Sequence, residues 1–326
     1  MRYIGNKTKL LDFIHSEIQS VCGDISEMHF CDLFAGSGSV SKYFKQYVQQ
    51  VSSNDLEHYS YVLCSNYIGN LPTLDCSELI QHLNDIPSVE GRFYQHFSPA
   101  GNRSFFTEHN AKRIDAIRQE IERLIQKNEI NLDQYYFLLA SLIETVDSYA
   151  NTTGVYGAFL KQFNGRSAKN LVLVPAQPSP GNRGFAYRND ANELIKTIGG
   201  DILYLDPPYN TRQYGANYHI LNYLVDYDNF QFNEESKTGL GNYNKSEYSS
   251  KRSVAESFDQ LISDAKFKYI FVSYNNEGIL SMEDMKNIMS KYGEYQLKTK
   301  EHKRYKSNTN NPQQAKVIEY LHVLIK

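Results

Sequence analysis

The stretch His29-Phe30-Cys31-Asp32-Leu33-Phe34-Ala35-Gly36-Ser37-Gly38 decides the fold. Its apolar first half predicts a buried strand, and its glycine-rich second half predicts a tight turn. Residues 40–51 can form a helix, and residues 51–55 read as a second strand that ends on the acid Asp55. Strand, helix and strand in this order are typical of an α/β sheet that is wound on both faces. We therefore predict a doubly wound α/β fold.

Three more strands are predicted later in the chain, at residues 201–205, 268–274 and 317–325. Between the second strand and the third the sequence changes character. Apolar residues at helical spacing predict two helices there, one capped by Thr107 and the other by Asp133. We predict an inserted, mostly helical lobe at residues 71–185, and a sheet domain made of residues 1–70 and 186–326.

Composition excludes several classes of protein. No apolar run approaches the ~18 residues that a membrane span needs, and the amino terminus has no apolar stretch typical of a signal peptide. The four cysteines show no Cys-x-x-Cys spacing, so neither a metal site nor a disulfide framework is predicted. We expect a cytoplasmic protein with no metal and no membrane partner.

Charge and aromatic content leave room for nucleic acid as a partner. The net charge of −3 is not that of a typical nucleic-acid binder, but residues 286–326 carry nine Lys or Arg against three Glu. The chain also has 26 Tyr and no Trp. A basic face can hold phosphates and tyrosine can stack on bases, although a solvated surface and a tyrosine-rich core are the simpler explanations.

The glycine-rich turn predicts a nucleoside-containing cofactor. Gly36 and Gly38 let the backbone approach a ligand, and Asp55, nineteen residues after Gly36, suits ribose hydroxyls. A nicotinamide dinucleotide uses the same geometry, and a purely structural turn is the other alternative. Ser41 stands where a dinucleotide fingerprint has its third glycine. Asp32 would repel a pyrophosphate but suits the cationic amino-acid end of S-adenosylmethionine, which we therefore favour.

The tetrapeptide Asp206-Pro207-Pro208-Tyr209 follows the strand at residues 201–205 and predicts the catalytic site. The prolines end the strand and remove two N–H donors. The carboxylate of Asp206 and the carbonyl of Pro207 can accept both hydrogens of an exocyclic amino group, which localises the lone pair of the nitrogen. Tyr209 offers a face on which a flipped base can stack. A rigid turn without catalytic function is the alternative.

These residues together resemble the adenine-specific DNA methyltransferases of the DNA adenine methylase type, especially the methylase domains of type IIS restriction–modification systems. The amino-terminal Arg2-Tyr3-Ile4-Gly5-Asn6-Lys7 is similar to the family's first cofactor motif. The resemblance implies a methyltransferase-type mixed sheet and methyl transfer from S-adenosylmethionine to adenine N6 in double-stranded DNA. It implies that Asp206, Pro207, Pro208 and Tyr209 are catalytic, and that the cofactor is bound by Tyr3, Lys7, Asp32, Phe34, Gly36, Gly38, Asp55, Asp190 and Asp206.

The resemblance also implies how the chain is organised for DNA. The sheet domain would be the S-adenosylmethionine-binding catalytic domain and the insert would be a target-recognition lobe. Thr153–Phe159 is similar to a family segment near the DNA, although a helix-breaking loop is the alternative. Asp190 could equally cap a helix at residues 191–198. Lys300–Lys306 could hold the DNA backbone, and a cognate restriction endonuclease and a monomeric state on DNA are further expectations.

Several rival functions share part of this pattern. Cytosine N4 methylation needs the same hydrogen-bond acceptors, whereas methylation of RNA or of a glutamine side chain more often uses Asn at the position of Asp206. A non-catalytic DNA-binding protein would keep the fold and lose the tetrapeptide, which is intact here. A nicotinamide-linked oxidoreductase would bind NAD.

Overall fold

The computed structural model describes residues 3–303 and 316–326. These residues form seven strands, which are β1 (His29–Asp32), β2 (Gln50–Asn54), β3 (Phe185–Tyr187), β4 (Gly199–Leu205), β5 (Lys266–Asn275), β6 (Glu294–Lys303) and β7 (Lys316–Ile325). The helices are α1 (Leu11–Cys22), α2 (Ser39–Phe44), α3 (His58–Tyr67), α4 (Ser77–Asp85), α5 (Arg92–Phe97), α6 (Glu108–Gln126), α7 (Leu132–Tyr149), α8 (Ala191–Leu194), α9 (Tyr214–Asn217), α10 (His219–Val225), α11 (Val254–Asp264) and α12 (Met282–Met289).

The strands form one mixed sheet in the order β3-β2-β1-β4-β5-β7-β6. β1 is parallel to both β2 and β4, and β4 is parallel to β5. β7 runs antiparallel between β5 and β6. The chain leaves β1 towards β2 on one side and returns through β4 on the other, which creates a switch point where α/β folds bind ligands. The predicted doubly wound α/β fold is confirmed.

The central strands β4 and β5 each contain a run of consecutive buried apolar residues, as expected where both faces of a sheet are covered. Residues 202–205 of β4 are fully buried, as are residues 270–272 of β5. The helix after the glycine-rich turn is shorter than the predicted residues 40–51. It ends at Phe44 because the chain must turn back towards β1, where Gln49 N donates to the carbonyl of Met28 at 3.1 Å.

The chain divides into two compact units. The sheet unit comprises Lys7–Leu56, Tyr187–Gln213 and Lys245–Lys326, and the helical unit comprises Met1–Asn6, Glu57–Ala186 and Tyr214–Asn244. The helical unit contains the predicted insert at residues 71–185 and extends beyond it to α3, α9, α10 and the first residues of the chain. Its proposed task of target recognition stays a prediction.

Two long helices organise the helical unit. α6 begins as predicted, with Thr107 Oγ1 accepting a hydrogen bond from Asn110 N at 3.2 Å. The cap predicted for α7 was wrong, because Asn131 and not Asp133 precedes its first residue. Asn131 and Gln134 exchange side-chain and backbone hydrogen bonds in a capping box. Asp133 instead forms an ion pair with Arg183 at 2.6 Å.

Within the described ranges, no helix is long and apolar enough to cross a membrane. The same ranges hold no cluster of His, Cys, Asp and Glu that could bind a metal ion.

Candidate active site

The glycine-rich loop and the catalytic tetrapeptide leave the same edge of the sheet. β1 and β4 are parallel neighbours, with Asp32 opposite Tyr204. Leu33 N donates to the carbonyl of Tyr204 at 3.1 Å, one residue beyond the strand pairing. Because β1 ends at Asp32 and β4 ends at Leu205, residues 33–38 and 206–209 begin side by side. Gly38 and Asp206 are 168 residues apart in the sequence. The two motifs nevertheless meet at the switch point of the sheet.

The glycines of the loop adopt a conformation that other residues rarely take. Gly36 has φ 56° and Gly38 has φ 71°, both in the left-handed region. Ala35 N donates to the carbonyl of Asn54 at 2.9 Å, and Gly36 N donates to Asp55 Oδ2 at 2.7 Å. The turn is thus held against the end of β2, and the Asp55 carboxylate lies next to the turn.

Asp32 is a buried carboxyl group with one oxygen engaged. Its Oδ2 accepts hydrogen bonds from Ser41 Oγ at 2.6 Å and Ser41 N at 3.2 Å, and Ser53 Oγ donates to Ser41 Oγ at 2.7 Å. Its Oδ1 has no hydrogen-bond partner within the described part of the chain. Burial raises the pKa of Asp32 to about 7; the bond from Ser41 opposes this shift and the charge of Asp206 adds to it.

Lys7 lies between two acids, the half-buried Asp206 and the buried Glu319. Its Nζ is 3.2 Å from Asp206 Oδ1 and 3.7 Å from Glu319 Oε2, and the Lys7 side chain is only 3% exposed. Burial lowers the pKa of Lys7, but Asp206 and Glu319 outweigh it and raise the pKa above its ordinary value. Burial raises the pKa of Asp206 to about 6, with Lys7 opposing the shift and Glu319 adding to it. Lys7 is therefore a permanent ammonium in contact with the proposed catalytic carboxyl group.

The remaining residues of the tetrapeptide are firmly placed. Pro207 is buried, whereas Pro208 and Tyr209 are half-buried. The carbonyl of Tyr209 accepts a hydrogen bond from Ile279 N at 3.0 Å, and its ring packs edge-on against Tyr274. Lys7 Nζ lies 5.5 Å from the centre of the Tyr209 ring. The Tyr209 ring is therefore positioned by Tyr274 and Lys7, both of which belong to the sheet unit.

Asp190 takes the capping position that was one of its two predicted roles. Its Oδ1 accepts from Asn192 N at 2.9 Å and Glu193 N at 3.2 Å, although α8 ends at Leu194 and not at residue 198. Asn189 is tied to β2 through two hydrogen bonds with Asn54, at 3.0 and 3.1 Å. Asp190 therefore stands near the same sheet edge as Asp55, and its contact with a cofactor stays a prediction.

Phe34 and Tyr3 lie in different units. Phe34 is half-buried and packs edge-on against Tyr248 in the sheet unit, with ring centres 4.9 Å apart. Tyr3 belongs to the helical unit, where it stacks with Tyr214 and Tyr218 at 5.4 and 4.8 Å. The Tyr59 hydroxyl donates a hydrogen bond to the Tyr3 hydroxyl at 3.3 Å. Tyr3 thus has a structural role in its own unit, and its cofactor contact stays a prediction.

Three residues of this site escaped the sequence reasoning. Ser41 drew attention only because it stands where a third glycine was expected, yet its hydroxyl donates a hydrogen bond to Asp32. Asn54 joins the glycine-rich loop to Asn189. Glu319 gave a signal that could have been used, because it is a lone acid within the apolar run of the last strand.

The charges of the site fit S-adenosylmethionine. Four acids lie at this edge of the sheet, namely Asp32, Asp55, Asp206 and Glu319, and Lys7 contacts two of them, Asp206 and Glu319. A ligand with an ammonium and a sulfonium cation suits a group of carboxylates, whereas a pyrophosphate would be repelled. The unpartnered Oδ1 of Asp32 is an acceptor that an ammonium could satisfy.

Comparison with known proteins agrees with this chemistry. Residues 3–288 match the model of a family described as D12 class N6 adenine-specific DNA methyltransferase. The chain is 48% identical over 334 residues to the type II methyltransferase M.NlaIII of Neisseria lactamica, covering 100% of this chain and 99% of that protein. It is 39% identical over 318 residues to the type II methyltransferase M.CviAII of Paramecium bursaria Chlorella virus 1, covering 94% and 92%.

A further relative is longer than this chain. The type II methyltransferase M.FokI of Planomicrobium okeanokoites is 37% identical over 347 residues, which cover 100% of this chain and 53% of that protein. The predicted resemblance is confirmed, including the choice of adenine over cytosine and of S-adenosylmethionine as the methyl donor. The chain belongs to the D12 class of N6 adenine-specific DNA methyltransferases.

Proposed function

We propose that this chain is the modification enzyme of a type II restriction–modification system, and that Asp206–Tyr209 methylate an adenine flipped out of duplex DNA. One observation carries the assignment of the site. The glycine-rich loop and the tetrapeptide begin side by side at the ends of β1 and β4, with Lys7 paired to Asp206. Family membership and full-length similarity to M.NlaIII support the choice of reaction.

The chemistry that we assign to the tetrapeptide starts from a weak nucleophile. The lone pair of the adenine amino group is delocalised into the ring. Asp206 and the carbonyl of Pro207 accept its two hydrogens, so that the nitrogen becomes tetrahedral and its lone pair points outward. S-adenosylmethionine, when bound, supplies an electrophilic methyl group. Holding the amino group in line then supplies much of the rate.

A proton must leave after methyl transfer. The nitrogen that has gained the methyl group carries a positive charge and loses one hydrogen readily. The Asp206 carboxylate can accept that proton, because its pKa of about 6 is close to neutrality. Tyr209 provides the ring on which the flipped base stacks.

The cofactor residues are assigned by charge and position. Asp32 would accept the ammonium of the amino-acid end through its Oδ1, and Asp55 would bind the ribose hydroxyls. Gly36 and Gly38 let the backbone approach the ligand. In the same proposal the adenine of the cofactor lies near Phe34 and Asp190. Lys7 and Tyr3 would contact the cofactor, as the family resemblance implies.

The DNA would bind to the helical unit through a stretch of sequence that contains no acids. No Asp or Glu occurs from Ser148 to Asn189, whereas five Lys or Arg do. Lys161, Arg166 and Lys169 are exposed, and none of them forms an ion pair with any described residue. We call these three residues the basic loop. Uncompensated cations of this kind are what phosphate binding requires.

The backbone of the basic loop is held from beneath by two buried asparagines. Asn151 Nδ2 donates to the carbonyls of Ser104 and Leu160, both at 2.9 Å. Asn110 Nδ2 donates to the carbonyl of Lys169 at 2.9 Å, and Asn110 Oδ1 accepts from Leu171 N at 2.8 Å. These bonds anchor the backbone at both ends of the loop, which reduces the ordering cost of binding.

The partners of the enzyme and its location in the cell are also part of the proposal. We propose a cognate endonuclease that cleaves the same site, action as a monomer on DNA, and a cytoplasmic location where the DNA is. The other basic segment that the sequence suggested, Lys300–Lys306, lies partly outside the described residues, since only Lys300–Lys303 belong to β6.

The test of the catalytic assignment is Asp206→Asn. This substitution removes the charge while keeping the size, so we expect kcat to fall about 10²–10³-fold, as when one transition-state contact is lost. Cofactor binding should persist. Duplex DNA is incubated with labelled S-adenosylmethionine, and the methylated nucleoside is identified after digestion.

The matched control is Asp201→Asn. Asp201 lies at the opposite end of the same strand β4, where its carboxylate accepts from His29 N at 2.8 Å. This variant should methylate adenine at the wild-type rate. Activity of Asp206→Asn equal to that of the control would contradict the catalytic role, and label on cytosine in the wild-type digest would contradict the choice of base.

A further inference from the structure

Two short segments of the sheet unit, residues 210–213 and 245–252, carry a group of exposed cations. Their sequences contain one acid, Glu247. None of the cations forms an ion pair with a residue in the described ranges. We call this group the basic rim, and its members are Arg212, Lys245, Lys251 and Arg252.

The basic rim differs from other exposed cations of the same unit. Lys196 pairs with Glu193 at 2.7 Å, and Lys291 pairs with Asp259 at 2.9 Å. Such surface pairs contribute little stability, but each leaves the local charge balanced. The basic rim instead concentrates four cations beside a single acid. This arrangement attracts a polyanion more than it serves solubility.

Hydrogen bonds join the two segments of the basic rim. Ser246 N donates to Gln213 Oε1 at 2.8 Å, and Gln213 Nε2 donates to the carbonyl of Ser246 at 3.5 Å. Ser249 Oγ donates to the carbonyl of Arg212, also at 3.5 Å. Arg212 therefore lies beside the segment that carries the other three cations, and the four form one patch.

A buried tyrosine anchors this patch beside the glycine-rich loop. Tyr248 is only 4% exposed, and its ring packs edge-on against Phe34 at 4.9 Å between ring centres. Its hydroxyl donates to Asn192 Oδ1 at 2.7 Å, and its backbone N donates to Ser246 Oγ at 3.3 Å. The exposed cations thus stand on a backbone that the core of the sheet unit fixes next to the proposed cofactor site.

The basic rim also begins directly after the catalytic tetrapeptide. Arg212 is three residues beyond Tyr209, so their Cα atoms are at most about 11 Å apart. The carbonyl of Tyr209 accepts a hydrogen bond from Ile279 N at 3.0 Å, which holds this end of the segment in place. In the proposed reaction the flipped adenine stacks on Tyr209. The phosphates on either side of that nucleotide are then within reach of the basic rim.

We propose that the basic rim binds the DNA phosphates that flank the flipped adenine, and that it stabilises the extruded nucleotide in the catalytic site. Extrusion swings the backbone of one nucleotide out of the duplex, so these contacts form only after the base has left the stack. Guanidinium groups, of which the basic rim has two, suit phosphate oxygens because they can donate two parallel hydrogen bonds. This proposal rests on the proposed methylation of a flipped adenine by Asp206–Tyr209.

The experiment compares two variants that lose the same charge. The rim variant replaces all four cations of the basic rim by Ala. The control variant replaces four cations that already have acidic partners within 2.7–3.3 Å, namely Lys112, Lys196, Lys291 and Lys298. All four rim side chains are exposed, so the melting temperature of the rim variant should match that of the control.

The first readout is the rate of methyl transfer in a single turnover, with DNA and S-adenosylmethionine saturating. The target adenine is located beforehand by sequencing DNA that the wild-type enzyme has methylated. On a duplex with a paired target, we expect the rim variant to be about tenfold slower than the wild type, because it loses contacts of the extruded state. With the target opposite an abasic residue extrusion costs less, and the two rates should agree within about threefold.

The second readout does not depend on activity. Fluorescence anisotropy gives the affinity for the same paired duplex over a salt series. The rim variant should reduce the slope of log affinity against log salt by about 3–4, since each phosphate contact contributes about 0.9, and the control variant should leave it nearly unchanged. Arg212→Ala alone should reduce the slope by about 0.9. Arg212→Lys combined with Arg252→Lys keeps the charges and should keep the slope.

The outcomes separate this proposal from the one on which it rests. A rim variant with the wild-type rate on the paired target, or with the slope of the control, overturns the role of the basic rim. Equal slowing on both duplexes overturns its link to extrusion. Full activity of Asp206→Asn overturns the catalytic assignment instead, whereas the salt slope of the rim variant still shows whether the rim binds phosphates.

Discussion

At the scale of single residues, Asp32 shows how burial prepares a carboxyl group for a cation. Its pKa is raised to about 7, chiefly by burial, so the group is mostly neutral below that pH. An ammonium ligand needs the ionised form. Binding below pH 7 must therefore release a proton, and the dissociation constant of S-adenosylmethionine should fall as the pH rises from 6 to 8, by up to about tenfold per unit below the pKa.

This prediction is checked by calorimetry in two buffers of different ionisation enthalpy, which counts the protons released. Asp32→Asn cannot ionise, so in this variant the dependence on pH should be largely lost, and the part that remains should follow Asp206, with its pKa of about 6. An equal dependence in the variant and the wild type would show that Asp32 does not hold the ammonium.

The residues of the site differ in how far sequence could predict them. The positions of Asp32, Asp55 and Asp206 were predictable because each lies at or directly after the end of a strand, and strand ends in a parallel sheet share one edge. The partners of Ser41 and Glu319 were not predictable, since they are set by the tertiary fold; the sequence marked Glu319 as a lone acid but not its contact with Lys7. β7 comes beside β5 only through the fold, and no local pattern carries that information.

At the scale of elements, the turn between β1 and α2 depends on glycine. Gly38 precedes α2 with φ 71° and ψ 13°. We expect Gly38→Ala to cost roughly 1–2 kcal/mol of stability because of its left-handed conformation, and also to weaken S-adenosylmethionine binding, because the added methyl group keeps the ligand from the backbone. The free energy of unfolding and the cofactor dissociation constant are both measured.

Gly23 provides the control for backbone strain. It follows α1 with φ 76° and ψ −136°, a conformation open almost only to glycine, and an added Cβ would meet no atom within 4 Å. Gly23→Ala should therefore lose at least as much stability as Gly38→Ala while cofactor affinity is unchanged. If both variants lost affinity equally, strain in the fold and not approach to the ligand would explain the effect.

Elements were predictable to the extent that their signals are local. The strands at the centre of the sheet contain short apolar runs, and their predicted positions are confirmed to within a few residues. Helix ends were less predictable. Asp133 and Asn131 are both good capping residues, and only the reciprocal bond from Gln134 favours Asn131. α2 stops at Phe44 because the chain must turn back along β1 to begin β2, which propensity does not encode.

At the scale of the whole molecule, charge is segregated. The chain carries a net charge of −3, with a cluster of acids at the sheet edge and an acid-free stretch from Ser148 to Asn189. One region suits a cationic cofactor and the other a polyanion. The net charge of the whole chain does not reveal these two regions. For that reason the composition alone argued against DNA as a partner. The bounds of the helical unit were also beyond prediction, because residues 214–244 join it only by long-range contacts.

The segregation predicts a specific dependence on salt. Replacing Lys161, Arg166 and Lys169 by Ala should weaken binding to duplex DNA and reduce the slope of log affinity against log salt by about 2–3, because each phosphate contact contributes about 0.9. Phosphate contacts do not read the base sequence. The affinity for a duplex that contains the methylation site and the affinity for a mixed-sequence duplex should therefore fall by the same factor. Fluorescence anisotropy with labelled duplexes over a salt series measures both quantities.

The control for this prediction uses cations that already have partners. Lys112, Lys196 and Lys291 are ion-paired with Glu90, Glu193 and Asp259, at 2.7, 2.7 and 2.9 Å. The triple Ala variant at these positions removes the same charge, yet it should leave the slope nearly unchanged because paired cations release few counterions from DNA. An equal loss of slope in both variants would mean that net charge, and not the basic loop, attracts the DNA. A loss of discrimination between the two duplexes would instead assign the basic loop to reading bases.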